Sequence, residues 1–292
     1  MSRIAYVNGR YVPHADAAIH IEDRGYQFAD GVYEVCEVRD GALIDETRHL
    51  ARLSRSLKEL QIPAPMPDSA LKIVLRETIA RNRVRDGIVY LQVTRGVARR
   101  DHYFPENAVP ALVVTARSAD RAKGEATAAM GVGVITVPEN RWPRVDIKSI
   151  GLLPNVLAKQ QAKQAGAREA WFVDSEGLVT EGGSTNAWIV TAEGLIVTRP
   201  AESGILRGVT RTTLFDMAMK LQMRIEERAF SVAEAKAARE AFITAATTIV
   251  TPVVTIDDAP VGDGRPGPVA TELRRRFHEF AERSAGGRTR RP

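Results

Sequence analysis

The sequence predicts an α+β fold in two domains, and three observations carry that expectation. The chain has 292 residues, enough for more than one core. Strand-like and helix-like stretches follow one another without the regular alternation of a doubly wound parallel sheet. A polar, alanine-rich stretch, "RSADRAKGEATAAM" (117–130), reads as a connector. It places the boundary near 118–122, with a smaller N-terminal α/β domain at 1–120, a larger C-terminal domain at 121–284 and a basic tail at 285–292.

The elements follow in order. "IAYVNGRYV" is a hairpin about Asn8-Gly9, and "GVYEVCEVRDGALI" a second about Asp40-Gly41. "DETRHLARLSRSLKELQI" turns helical, with Leu50, Leu53, Leu57 and Leu60 at helical spacing until Pro63 ends the pattern. "DSALKIVLRETIARNRV" is a second helix with Asp68 or Ser69 as its N-cap. "GIVYLQVTRG" and "PALVVTA" return to strand. Beyond the connector, "VGVITVP" is a strand and a helix runs from about Leu153 to Gly166. "EAWFVDSEGLVTEG" and "NAWIVTAEGLIVTRP" are hairpins. Residues 208–223 form an amphipathic helix, "MRIEERAF" a strand, and "SVAEAKAA" a short helix capped by Ser231. "EAFITAA" is a strand, and a last helix covers about 268–284.

Composition narrows the function. A hydrophobic content of 44% and a charged content of 26% are those of a soluble globular chain. The lone Cys36 excludes an internal disulfide or a cysteine metal cluster and fits a reducing compartment; "MSRIAYVNGRYVP" has no apolar h-region of a signal peptide, so the expected location is cytoplasmic. No apolar run reaches the ~20 residues of a membrane helix. The net charge of +5 gathers toward the C-terminus, in "RRRF" and "RTRRP". A basic tail can bind nucleic acid, but no groove-reading helix pair, zinc pattern or aromatic platform accompanies it.

One residue stands against the composition. The chain holds 33 arginines and 8 lysines, yet "RVDIKSIGLLPN" carries Lys148. Lysine can lose its proton near neutral pH and act as an amine nucleophile, which arginine cannot. Apolar and small neighbours favour the free amine, the form that captures a carbonyl as a Schiff base. Two further motifs complement it. In "SGILRGVTRTTLF", Gly204 and Gly208 bracket a helix start whose free N–H groups suit a phosphate. In "LVTEGGSTN", Glu181 precedes a tight polar turn of Gly183, Ser184 and Thr185, a carboxylate suited to a cationic ring nitrogen. Amine, anion cup and carboxylate are together what pyridoxal 5'-phosphate requires; each alone also reads as an ordinary surface charge, helix start or bend.

The chain resembles the D-amino-acid transaminases of the fold-type IV class of pyridoxal-phosphate enzymes. The segments "EDRGYQFADGVYEV", "LQVTRG", "RDHYFPEN", "DIKSIGLLPNVLAKQQA", "EAWFVDSEGLVTEGGSTN", "GILRGVTR" and "ITAATTIVTPV" occur in family order from about residue 4 to 280. The resemblance implies a pseudo-barrel C-terminal domain, and Lys148 as the cofactor's covalent anchor and proton shuttle. It implies Glu181 on the ring nitrogen, and Arg52, Val209 and Thr210 on the phosphate. The hydroxyl that usually joins them falls on Ala246, with Thr247 next along, and Ile249 stands where an acid is common. Ser184 and Thr185 complete the expected cofactor set, and no metal is implied. Tyr33, Arg100 and His102 would hold the substrate carboxylate, the last two reaching into the partner's site of a homodimer. The reaction implied passes an amino group between D-amino acids (D-alanine, D-glutamate) and 2-oxo acids (2-oxoglutarate, pyruvate). Branched-chain L-transaminases, (R)-amine transaminases and aminodeoxychorismate lyases share the fold and remain the alternatives.

Overall fold

A computed structural model describes residues 3–202 and 204–284; the expected basic tail at 285–292 lies outside the described residues. The described chain divides into two units. The first holds residues 3–121, 147–151 and 282–284; the second holds 122–146 and 152–281.

In the first unit, β1 (Ile4–Val7) and β2 (Arg10–Pro13) form the first hairpin. Asn8 and Gly9 both take positive φ, as a two-residue hairpin turn demands. The short α1 (Arg24–Phe28) is capped by Asp23, whose carboxylate accepts from Gly25 N. β3 (Gly31–Arg39) and β4 (Ala42–Ile44) form the second hairpin. Helices α2 (Glu46–Glu59) and α3 (Asp68–Arg81) follow, then β5 (Gly87–Thr94) and β6 (Ala111–Ser118). The N-cap of α3 is Pro67, one residue ahead of the expected Asp68, because its extended backbone turns the chain into the helix.

These strands form an antiparallel sheet, ordered β4-β3-β5-β6-β1-β2, with Arg283–Ser284 pairing on the outer edge of β4. Along β3 the buried residues alternate, with Val32, Glu34, Cys36 and Val38 on one face. That face joins Leu50, Leu53 and Leu57 of α2 and Leu71, Leu75 and Ile79 of α3 in one core. The helical leucine spacing thus becomes the stripe that covers the sheet.

Two short segments depart from the expected division at 120/121. Ile147–Gly151 groups with the first unit because it lies along the edge of β3: Tyr33 N donates to Lys148 O at 3.0 Å and Ile150 N to Gly31 O at 3.1 Å. Ile147 is buried in that unit's core. Residues 282–284 return to it as well, since Asp45 N donates to Glu282 O at 2.8 Å.

The expected connector is helical: α4 spans Arg121–Met130. Its alanines and glutamate favour helix, although Ala128 alone on it is buried. β7 (Val132–Pro138), α5 (Leu153–Gln164), β8 (Glu169–Val173) and β9 (Val179–Gly182) follow. Next come β10 (Asn186–Val190), β11 (Ile196–Thr198), α6 (Val209–Lys220) and β12 (Ile225–Glu227). α7 (Val232–Ala237) is capped by Ser231, and β13 (Glu240–Ala245), β14 (Ile249–Ile256), β15 (Ala259–Pro260) and α8 (Pro268–Phe280) complete the unit. The last helix ends at Phe280, short of the expected 284, and the next residues turn extended.

The strands of this unit join in one sheet, β12-β11-β10-β13-β14-β7-β8-β9, with β15 on β14, the half-barrel of the pseudo-barrel domain. Trp171, Ile189, Phe230, Ile243 and Val253 fill one side. On β10, Trp188 stacks on Phe242 at 5.5 Å and donates through Nε1 to Thr244 Oγ1. No helix among the described residues is long and apolar enough to cross a membrane.

Candidate active site

In the first unit, an isolated antiparallel bridge joins Val32 to Ser149. That register sets Lys148 directly opposite Tyr33, so the two side chains leave the same face of the sheet edge. The half-buried Lys148 puts Nζ 4.2 Å from the centroid of the Tyr33 ring, a cation–π distance. Lys148 N donates to Ser56 Oγ of α2 at 3.3 Å, which fixes the backbone that carries the amine. Tyr33 stacks on Tyr90 at 5.8 Å. Burial and then the neighbouring Tyr33 push the Tyr90 hydroxyl up to about 12, and it donates to Gln92 Oε1 at 2.6 Å. Sequence reading passed over Tyr90, which looked like one more strand aromatic.

Arg52 is not a surface charge. Its Nε and Nη2 donate to Glu34 Oε1 and Oε2 at 2.7 and 2.8 Å, and His49 Nδ1 lies 2.7 Å from Oε2. Glu34 is completely buried. Burial by itself raises its pKa, but the Arg52 guanidinium and the hydrogen bonds from Arg52 and His49 bring it down to about 2. The period-2 pattern of β3 could have flagged Glu34, an acid in a run of core positions.

Arg100 and His102 are exposed and share one support. The Arg100 guanidinium lies 5.0 Å from the centroid of Phe28, and the His102 ring 5.5 Å from it.

The second unit carries Glu181 and the start of α6. Glu181 on β9 is buried. Arg141 Nη1 donates to its Oε1 at 2.6 Å, Asn186 Nδ2 to its Oε2 at 3.0 Å, and Leu206 N reaches both oxygens at 3.1–3.2 Å. Arg141 is itself held by Glu139 through Nε and Nη2 and packs 4.4 Å over Phe172. Asn186 also donates to Leu206 O at 2.9 Å. A Cβ on Gly208 would overlap Asn186 Oδ1, so a larger residue there must displace that side chain. Asn186 thereby links the carboxylate to Gly208, the N-cap of α6.

Val209 and Thr210 are the first, buried residues of α6, and its N-cap, Gly208, offers no side-chain cap. The turn between β13 and β14 leads into Ile249, whose φ of 58° is an outlier for a β-branched residue. Thr247 is exposed there, while Thr248 Oγ1 is buried without a hydrogen-bond partner. Sequence reading singled out Thr247 and passed over its neighbour.

Ser184 and Thr185 meet a buried acid. Ser184 Oγ and Thr185 Oγ1 donate to Glu169 Oε2 at 2.9 and 3.3 Å, and Lys159 Nζ lies 3.0 Å from Glu169 Oε1. Glu169 is buried at the start of β8 and needs these donors. The two hydroxyls hold the turn through Glu169.

Comparison with known proteins shows the family. The amino-transferase class IV family description matches residues 31–256. The D-alanine aminotransferase of Bacillus licheniformis is 41% identical over 266 residues, 91% of this chain and 93% of its own. That of Staphylococcus haemolyticus is 38% identical over 279 residues, 95% of this chain and 97% of its own. Among solved structures, the T.th. branched-chain amino acid aminotransferase with pyridoxamine 5'-phosphate superimposes with a TM-score of 0.88. It is 27% identical, over 96% of this chain and 94% of that one. A family match over more than half of the chain, and relatives this similar along nearly all of it, show that this chain belongs to the class IV aminotransferases.

Proposed function

We propose that the chain is a pyridoxal-phosphate-dependent D-amino-acid aminotransferase. It would move the amino group of a D-amino acid, D-alanine or D-glutamate, to a 2-oxo acid such as 2-oxoglutarate or pyruvate. The observation that carries the reading is Lys148 Nζ, 4.2 Å from the Tyr33 ring at a sheet edge. The D-alanine aminotransferase relatives, which match along more than nine-tenths of the chain, support the substrate class.

The residues fit the cofactor. The N-cap of α6, Gly208, offers no side-chain cap to the first-turn N–H groups, and Thr248 Oγ1 is a buried hydroxyl without a partner among the described residues. Lys148 would hold the cofactor covalently, and Val209, Thr210, Arg52 and the Thr247–Thr248 turn its phosphate. Glu181, oriented by Arg141, Asn186 and Leu206 N, would pair with its ring nitrogen. When bound, pyridoxal phosphate supplies an electron sink that makes the α-proton of an amino acid removable.

The chain's own residues do the rest. Lys148 Nζ takes the α-proton as an amine and returns it as an ammonium. Ser56 and the pairing with β3 hold the lysine backbone while the proton moves. Tyr33 borders the amine, and Arg100 and His102 bind the substrate carboxylate by charge-assisted hydrogen bonds. The side on which the carboxylate is held selects the hand of the substrate. Arg100 and His102 serve the partner's site in a homodimer. Tyr103 (83% exposed), Val109 (79%), Ile21 (75%) and Tyr26 (73%) support this, as apolar side chains beside Arg100, His102 and α1 that a second copy would cover. The expected location is the cytoplasm.

The test is a visible absorbance spectrum of the protein with pyridoxal phosphate, before and after D-alanine or L-alanine. A band lost in Lys148→Ala, and shifted by D-alanine only, is the expected result. A band indifferent to D-alanine but shifted by L-leucine would replace the D-amino-acid reading with a branched-chain one.

A further inference from the structure

Around Phe28, one cluster ties α1 to the loop that carries Arg100 and His102. Arg24 is 3% exposed. Its Nε donates to Asp30 Oδ2 at 2.8 Å and its Nη1 to the carbonyl of Asp101 at 2.6 Å. Asp101 lies between Arg100 and His102, so this bond grips the loop at the peptide between Asp101 and His102. The Arg24 guanidinium also lies 4.8 Å from the Phe28 centroid. Phe28 therefore has Arg24, Arg100 and His102 about one ring.

The base of the loop is tied just as firmly. Arg95 donates to both oxygens of Asp30, at 2.7 and 3.0 Å, and to the carbonyls of Leu60 and Gln61. Its guanidinium lies 3.7 Å over Phe104, on the far side of His102 in the chain. Arg24 N donates to Gly96 O and Ala98 N to Glu22 O, so residues 22–24 run beside 96–98.

We propose that Arg24 and Phe28 are positioning residues for carboxylate recognition. Arg24 sets the loop backbone and Phe28 sets the directions of Arg100 and His102. This rests on the reading that Arg100 and His102 bind the substrate carboxylate. Exposed arginine and histidine side chains have many rotamers, and a shared aromatic support with a clamped carbonyl reduces them. Binding groups set even 1 Å wrong lose much of their effect. Asp30 keeps its two bonds from Arg95 when Arg24 is removed, so the substitution strands no buried acid.

The test uses the full chain loaded with pyridoxal phosphate, as wild type, Arg24→Gln, Phe28→Leu and Phe28→Tyr. Four quantities are measured: KM and kcat for D-alanine, Kd for pyridoxal phosphate, and Kd for propionate, an unreactive carboxylate, from the visible band. Arg24→Gln and Phe28→Leu should each raise KM and propionate Kd about tenfold, the worth of one charge-assisted hydrogen bond. kcat and cofactor Kd should stay within about twofold, and Phe28→Tyr should behave as wild type. Unchanged propionate binding would overturn the proposal, as would cofactor affinity falling in step with KM. Phe28 is half-buried, so Phe28→Leu carries the test should Arg24→Gln fail to fold. Wild-type protein that binds propionate but leaves D-alanine unreacted would remove the substrate reading while the variants still decide the positioning.

Discussion

Glu34 and Arg52 form a two-point ion pair, with Nε–Oε1 at 2.7 Å and Nη2–Oε2 at 2.8 Å, beneath the strand that also carries Tyr33. The acid is sealed from solvent and the guanidinium nearly so. The pair fixes the plane of the arginine proposed to meet the cofactor phosphate. Glu34→Gln should weaken pyridoxal phosphate binding about tenfold and lower stability by about 3 kcal/mol, because it leaves a buried cation poorly compensated. Cofactor titration and urea unfolding check the two effects separately.

The same pair gives a pH dependence. Glu34 sits at about 2 in the folded chain, below the ordinary 4.5. A carboxyl lowered by folding stabilises the protein fully above its unfolded pKa and loses that contribution as pH falls through the folded value. Between about pH 4.5 and 2, wild type should lose about 3 kcal/mol of stability that Glu34→Gln no longer has to lose. Parallel acid-denaturation curves in the two proteins would contradict this.

Asn186 and Gly208 should behave as a coupled pair. Gly208→Ala drives a methyl into Asn186 Oδ1 and should cost about 1–3 kcal/mol as overpacking. In an Asn186→Ala background the same change should cost about 1 kcal/mol less, since the obstacle is gone. Asn186→Ala alone should weaken cofactor binding, because Glu181 loses a donor at 3.0 Å. A double-mutant cycle in stability and in cofactor Kd gives the answer.

Leu75→Ala should separate fold from function. The side chain is fully buried in the core of the first unit. Its loss should cost about 2–5 kcal/mol in urea unfolding. Below the transition, cofactor Kd and the D-alanine KM should match wild type.

The sequence by itself determined the order of elements, the hairpin turns at Asn8-Gly9 and Asp40-Gly41, the leucine stripe of α2 and the Ser231 cap, because each depends on neighbours a few residues apart. It misread 117–130, where polarity masked an alanine-rich helix. It also marked Lys148, Glu181, Arg52 and the α6 start as chemically apt, through residue type and local motif. Only the tertiary structure decided what surrounds them. Lys148 faces Tyr33 through a pairing 115 positions apart in the chain, a difference of 148 − 33. Arg52 meets Glu34, Glu181 meets Arg141, Ser184 and Thr185 turn to Glu169, and Arg24 grips Asp101. Buried charges take whatever opposite charge the fold brings within reach, and no local pattern encodes a partner that sheet register and packing choose.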